Sequence, residues 1–198
     1  MSDETRLIAF LDANVLYPAR LRDLLMRLAL RDLFQPRWSE QVHDEWTNAA
    51  LRDHADLTAT QLQRVRRLME QSLCDAAVTD FEHRIESLTL PDPDDRHVLA
   101  AAIHGGANVI ITANLRDFPA DALAPHQIEA VHPDSFVARL LETDAAEVID
   151  AVHELHHNLK KPAMTMDELL SLFERADLVT TVAELRRLMA SDQRVDDR

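Results

Sequence analysis

The chain has 198 residues, 46% of them hydrophobic and 28% charged, with a formal net charge of −14. That length holds one ordinary domain with an appendage, and the composition is that of a globular protein in water. The acidic balance argues against non-specific coating of DNA, which needs a basic footprint; no apolar run nears the roughly 20 residues of a membrane span; and a lone cysteine, Cys74, excludes an internal disulfide and a cysteine metal cage.

The first element is an apolar strand at Leu7–Leu11, which delivers Asp12 and Asn14 ahead of a helical pattern. Leu21, Leu24, Leu25 and Leu28 form one face of the helix that follows, with Arg20, Arg27 and Arg31 on another. A second strand is expected at Phe34–Trp38, and Ser39 then caps a helix running past Trp46. Thr58-Ala-Thr-Gln61 has the form of a capping box ahead of Leu62, Val65 and Met69. Cys74 reads as a small hydrophobe on a helix. Strand patterns follow at Ala76–Val78, Asn108–Thr112 and Ile128–His132. Before the second of these, Asp94 or Asp95 opens a helix through Val98–Ile103, which Gly105-Gly106 ends.

Beyond Pro133 the strand signals stop. Phe136, Leu140 and Leu141 share one helix, and Asp144-Ala-Ala-Glu147 caps another that carries Val148, Val152, Leu155 and Leu159 on one face. Lys160-Lys-Pro162 breaks the chain. Thr165-Met-Asp-Glu168 is a capping box before Leu169, Leu170, Leu172 and Phe173. A last helix is expected over Val179–Met189, with a frayed polar tail from Ser191. Strands alternating with helices imply an α/β fold with a mostly parallel sheet over residues 1–135, followed by a helical extension over 136–198. The acidic N-terminus lacks a signal-peptide pattern, so a cytoplasmic location is expected.

In a parallel sheet the strand ends and the helix starts after them share one edge, where ligands bind. Four acidic stations fall at such places. Asp12 ends the first strand. Glu45, in Ser39-Glu-Gln-Val-His-Asp-Glu-Trp46, must lean in from inside its helix. Asp95, in Leu90-Pro-Asp-Pro-Asp-Asp-Arg-His-Val-Leu-Ala-Ala101, opens a helix, and Asn114 and Asp117 follow a strand in Val109-Ile-Ile-Thr-Ala-Asn-Leu-Arg-Asp-Phe118. Two carboxylates ~4 Å apart repel by about 4 kcal/mol at an effective dielectric of ~20, so a cluster requires protons or a cation. Magnesium and manganese prefer oxygen ligands, activate a bound water and stabilise charge on a phosphate oxygen. Such a cluster suits phosphodiester hydrolysis. Taken singly, each acid reads equally well as a surface charge or a helix cap.

Taken together, the blocks resemble PIN-domain ribonucleases, particularly the VapC-type toxins of bacterial toxin–antitoxin pairs. Leu11-Asp-Ala-Asn-Val-Leu16 resembles the family's opening, Glu45-Trp46 its second acid, Asp92-Pro-Asp-Asp-Arg-His-Val-Leu-Ala-Ala101 its third block and Ile111-Thr-Ala-Asn-Leu-Arg-Asp-Phe118 its fourth. The resemblance covers about the first 135 residues. It implies an α/β/α sandwich around a mostly parallel sheet, and an endoribonuclease dependent on Mg²⁺ or Mn²⁺. Asp12 and Asp95 are the implied direct metal ligands. Glu45 and Asp117 complete the acidic pocket and orient water, and Asn114 positions a carboxylate or the substrate. It also implies an RNA substrate, an antitoxin protein that covers the site, and homodimerisation as a common arrangement. Two features depart from the pattern. Asn114 stands where some relatives carry Asp, and the helical C-terminal part exceeds the compact form, resembling an extension seen in some longer members.

Other signals carry competing readings. Asn14 is a candidate for supporting the Asp12 turn or for touching substrate. Arg20 and Arg116 stand near site residues and suit phosphate contact, whereas Arg22, Arg27 and Arg31 read more simply as a solvated helix face. His153-Glu-Leu-His-His157 matches the H-E-x-x-H pattern of zinc peptidases, with His153 and His157 on one helical face; the polar edge of an amphipathic helix accounts for it as well. Trp38 and Trp46 could stack on bases or fill the core. Met164 and Met166 could present a face to another chain or pack onto the main domain. A catalytically silent PIN-like binding module is the alternative from a different functional class.

Overall fold

A computed structural model describes residues 7–159 and 164–196, the stretch 191–196 as backbone alone. Four short strands, β1 (Ile8–Leu11), β2 (Gln35–Arg37), β3 (Val109–Ile111) and β4 (Glu129–Val131), form one parallel sheet in the order β2-β1-β3-β4. Consecutive residues Ala9, Phe10 and Leu11 are fully buried, as are Ile110 and Ile111. Successive strand side chains point to opposite faces, so both faces of the central strands are covered, as an α/β sheet requires.

The connecting helices are α1 (Ala13–Leu16), α2 (Ala19–Leu30), α3 (Glu40–Asp53), α4 (Ala59–Ser72), α5 (Arg96–His104) and α6 (Ala120–Leu123). Ser39 caps α3 by accepting from the Val42 amide, and the Thr58–Gln61 capping box on α4 is complete. Gly106, after α5, takes φ +66°, a conformation that carries no steric cost without a Cβ. The strand expected at Ala76–Val78 is reduced to a single parallel bridge between Trp38 and Ala77 at the β2 edge. Only a few residues separate the turn at Cys74 from Asp80, whose positive φ ends the extended run. Cys74 itself is exposed in that turn rather than on a helix.

The C-terminal part consists of α7 (Pro133–Thr143), α8 (Ala145–Asn158), α9 (Met166–Arg175) and α10 (Val179–Asp196). The last helix extends past Met189 because the polar residues that follow contribute no packing signal yet are compatible with helical backbone. The break expected at Lys160-Lys-Pro162 lies outside the described residues. One apolar core runs through both parts: Phe34 beside β2 meets Phe136 of α7 edge to face at 5.0 Å. Arg27 and Arg31 of α2 pair with Glu154 and Glu147 of α8, so these arginines hold the extension and are not a solvated face. Asp134 of α7 accepts from the backbone amides of Thr180 and Thr181 at 3.0 and 2.8 Å, capping α10 from a neighbouring helix. Met164 and Met166 are half-buried against the core. Among the described residues no helix is long and apolar enough to cross a membrane.

Candidate functional site

The chain goes from β1 to β2 on one side and then crosses to β3 on the other, so the strand order reverses between β1 and β3. Ligands in open parallel sheets bind beyond the carboxyl ends of the strands at such a switch point. Leu11 and Ile111 are register partners there, so Asp12 and Thr112 emerge side by side. Asp12 is the extended N-cap of α1 and is 5% exposed. Its Oδ1 accepts from the Ala13 amide at 2.6 Å; its Oδ2 accepts from the Thr112 hydroxyl at 2.7 Å and the Asn14 amide at 2.5 Å. Asn14 also donates to Thr112 Oγ1 and accepts from the Ala113 backbone, and Thr112 Oγ1 accepts from the Asn114 backbone. One side-chain network therefore fixes both strand ends.

Three further acids gather opposite this frame. Asp92 caps the 3-10 turn Pro93–Asp95 by accepting from the Asp94 amide, and Asp95 stands at the start of α5. Asp117 closes the 3-10 turn Leu115–Asp117 and accepts from the Asn114 side-chain amide. Oxygens of Asp92, Asp95 and Asp117 all lie within 4.8 Å of one another. Glu45 projects from α3, where its Oε1 is 2.9 Å from Nε2 of buried His97 on α5 and 3.3 Å from the Gln41 amide.

The electrostatics tie these groups together. Burial pushes the Asp95 carboxyl up to about 6, and the charges of Asp12, Asp92 and Asp117 add to that, opposed by His97. Burial also raises Asp12; the Thr112 hydroxyl and Ala13 amide oppose the rise, and the charge of Glu45 reinforces it. The charges are thus linked, Glu45 acting on Asp12, and Asp12 and Asp117 on Asp95. An oxygen-only set of mutually repelling carboxylates is the donor chemistry of Mg²⁺ or Mn²⁺. The close triad takes in Asp92, which sequence reasoning did not single out, while Asp12 and Glu45 stand beside it. Thr112 and His97 were also missed. Asp92 could have been found as the first acid of Asp92-Pro-Asp-Asp, but Thr112 and His97 carry no signal until strand register and helix packing place them.

The remaining candidates separate. Arg116 is exposed in the turn between Asn114 and Asp117 and has no ion pair among the described residues. Arg20 is half-buried and 3.5 Å from Asp23. Arg22 is buried, donates to the Leu16 carbonyl at 2.6 Å and lies 4.5 Å from the Trp46 ring centre, so it braces the core and is closed to phosphate. Trp38 and Trp46 are both 1% exposed, which leaves them no face for a base. Within the H-E-x-x-H match, Glu154 is held by Arg27 and Arg31, and His156 faces the Met164 carbonyl at 2.7 Å. Neither His153 nor His157 joins a cluster of three metal-binding side chains among the described residues.

The PIN domain profile matches residues 9–116, and the profile of the VapC50 C-terminal domain matches residues 133–187. A protein of Mycobacterium tuberculosis (strain ATCC 25618 / H37Rv) named "Putative ribonuclease VapC50" is 58% identical over 48 residues, which are 24% of this chain and 28% of that protein. The aligned stretch therefore spans under a third of the relative's length. No solved structure matches. The four acidic blocks lie within or directly beside the matched PIN segment, and the helices after β4 coincide with the match to the VapC50 C-terminal domain: the chain belongs to the PIN-domain family.

Proposed function

We propose that this protein is a metal-dependent endoribonuclease that hydrolyses RNA phosphodiester bonds and acts as the toxin of a toxin–antitoxin pair. The observation that carries the reading is the gathering of Asp92, Asp95 and Asp117 beside Asp12 at the switch point of the sheet. Carboxyls raised by burial and by neighbouring acids, as Asp95 and Asp12 are, are a mark of a functional site. Asp95, Asp117 and Asp92, with Asp12 and Glu45 alongside, would hold Mg²⁺ or Mn²⁺. When bound, the metal supplies a water of lowered pKa and stabilises charge on the phosphate oxygen. Thr112 and Asn14 hold the Asp12 carboxylate in one orientation. Asn114 does the same for Asp117. His97 fixes Glu45 at one oxygen, leaving the carboxylate to orient the attacking water. Arg116 and Arg20 contact phosphates flanking the scissile bond.

The acidic pocket suits a basic segment of an antitoxin that inhibits by covering it. We further propose a cytoplasmic protein that forms homodimers, with residues 1–135 as the nuclease domain and 136–198 as an extension docked through Arg27 and Arg31. The test is cleavage of purified total RNA with Mn²⁺ or Mg²⁺, with EDTA and an Asp12→Ala protein as controls. Discrete cuts lost in both controls are expected. The absence of both cutting and manganese binding would overturn the proposal and leave a binding module.

A further inference from the structure

Next to the carboxylates, a groove of about 390 Å³ runs between α1 and α3, its lining including Ala13, Asn14, Tyr17, Glu45, Trp46 and Asp53. Its volume falls in the range of small-molecule sites, about 300–1,000 Å³. It shares Asn14 and Glu45 with the proposed catalytic centre, so an occupant here is adjacent to the scissile bond. Tyr17 is half-buried and stacks against His54 at 6.1 Å between ring centres, with 30° between the planes. Its hydroxyl donates to Asp53 Oδ2 at 3.2 Å and lies 3.3 Å from His54 Nε2. The ring packs against the edge of the core and is held there by both polar contacts.

The chemistry selects among occupants. A phosphate is disfavoured, because the carboxylates of Glu45 and Asp53 both line the groove. Asp53 Oδ1 already accepts from Arg52 at 3.0 Å and Oδ2 from the Tyr17 hydroxyl at 3.2 Å, and each oxygen keeps a second lone pair for a donor on the occupant. A flat, neutral, partly apolar ring fits the walls and can stack on Tyr17. Ionised carboxylates only accept hydrogen bonds, and the Arg52 contact keeps Asp53 ionised by holding its carboxyl below the usual range. Among the RNA bases guanine alone presents two adjacent donors, N1–H and N2–H₂, on its Watson–Crick edge. Unpaired bases splayed onto aromatic side chains are the common mode of single-stranded RNA recognition.

We propose that this groove is a base-binding subsite that seats an unpaired guanine beside the cleaved phosphodiester, with Tyr17 as the stacking platform and Asp53 as the acceptor that reads the base. The proposal rests on the ribonuclease reading and names the specificity of that same site.

Two assays test it on the full chain. In the first, a randomised single-stranded RNA pool is cut by the wild type, Tyr17→Ala, Tyr17→Phe and Asp53→Asn, and the ends are sequenced. A guanine at one fixed position beside the cut is expected. Asp53→Asn should abolish that preference, and Tyr17→Ala should raise KM by about tenfold or more, in line with the strength of base stacking, with kcat nearly unchanged. Tyr17→Phe keeps the ring and should stay within a few-fold of the wild type, which separates stacking from folding. Cutting with no base preference, or a preference that survives both Asp53→Asn and Tyr17→Ala, overturns the subsite while leaving the nuclease intact. If the wild type neither cuts nor binds manganese, the ribonuclease reading fails, and the second assay still decides the groove. There, guanosine, adenosine, cytidine and uridine monophosphates and N-acetyl-arginine amide are titrated into wild type and Asp53→Asn while the Tyr17 ring resonances are followed by NMR. Guanosine monophosphate should bind most tightly and lose that advantage in Asp53→Asn. A stronger response to the arginine probe overturns the proposal in favour of a protein partner.

Discussion

Replacing Asp95 by Asn should make the protein more stable and inactive at once. Asp95 titrates near 6 in the folded protein against an ordinary value of 3.8, because of burial and the charges of Asp12, Asp92 and Asp117. The folded state therefore holds the Asp95 proton more tightly than the unfolded state, and between those two pH values the native protein binds more protons. Stability from this group falls as pH rises across that window and is lowest above it. A shift of about two units corresponds to about 3 kcal/mol, and partial exposure to solvent screens this to about 1–2 kcal/mol. Asn keeps the shape and removes the charge. In EDTA at pH 7.5, urea unfolding of Asp95→Asn should give a free energy about 1–2 kcal/mol above the wild type. At pH 4.5 the gap should close to about a third of that, because the wild-type group is by then mostly protonated in the native state. Manganese should raise the wild-type midpoint and leave the variant nearly unmoved, and RNA cleavage should be lost. A variant no more stable than the wild type at pH 7.5 in EDTA would refute the claim that like charges strain this site.

Three other outcomes are expected. Thr112→Val removes the hydroxyl that donates to Asp12 and holds its carboxyl down, so that carboxyl should rise further; manganese affinity should fall by about tenfold or more and recover in part as pH is raised, as read by metal titration. Asp134→Ala removes the acceptor of two amides at the start of α10 and should cost about 1–2 kcal/mol in thermal unfolding, with Asp134→Asn milder. His43 is buried and pushed down to about 4 by desolvation; its stabilising neutral form is present above pH 6.5 and lost as pH falls toward 4. His43→Gln should flatten that acid limb of the stability profile, where the wild-type residue accounts for about 3 kcal/mol.

Much of the fold was legible because its signals are local. Four of the five expected strands formed, since runs such as Leu7–Leu11 are apolar at every position and can satisfy that only inside a covered sheet. Ser39, Thr58 and Thr165 marked helix starts correctly, because a cap depends on residues within one turn of itself. Strand Ala76–Val78 failed because pairing length depends on the neighbouring edge and not on the run.

In the candidate site, the acids at strand and helix ends were readable from their position in the chain, and their family order reinforced them. The order β2-β1-β3-β4 was not readable: it is set by which strands pair, and it alone places Thr112 against Asp12 across 100 residues of chain. The same holds for His97 beside Glu45 and for Asp53 beside Tyr17. The H-E-x-x-H match shows the converse, for its Glu154 belongs to a contact with α2 that no local pattern announces. The sequence by itself determined the elements, the acidic character of the edge and the family. Only the tertiary structure decided which acids share one field and which arginines are occupied, because those depend on distances between segments remote in the chain, and charge interactions fall off with distance and solvent screening.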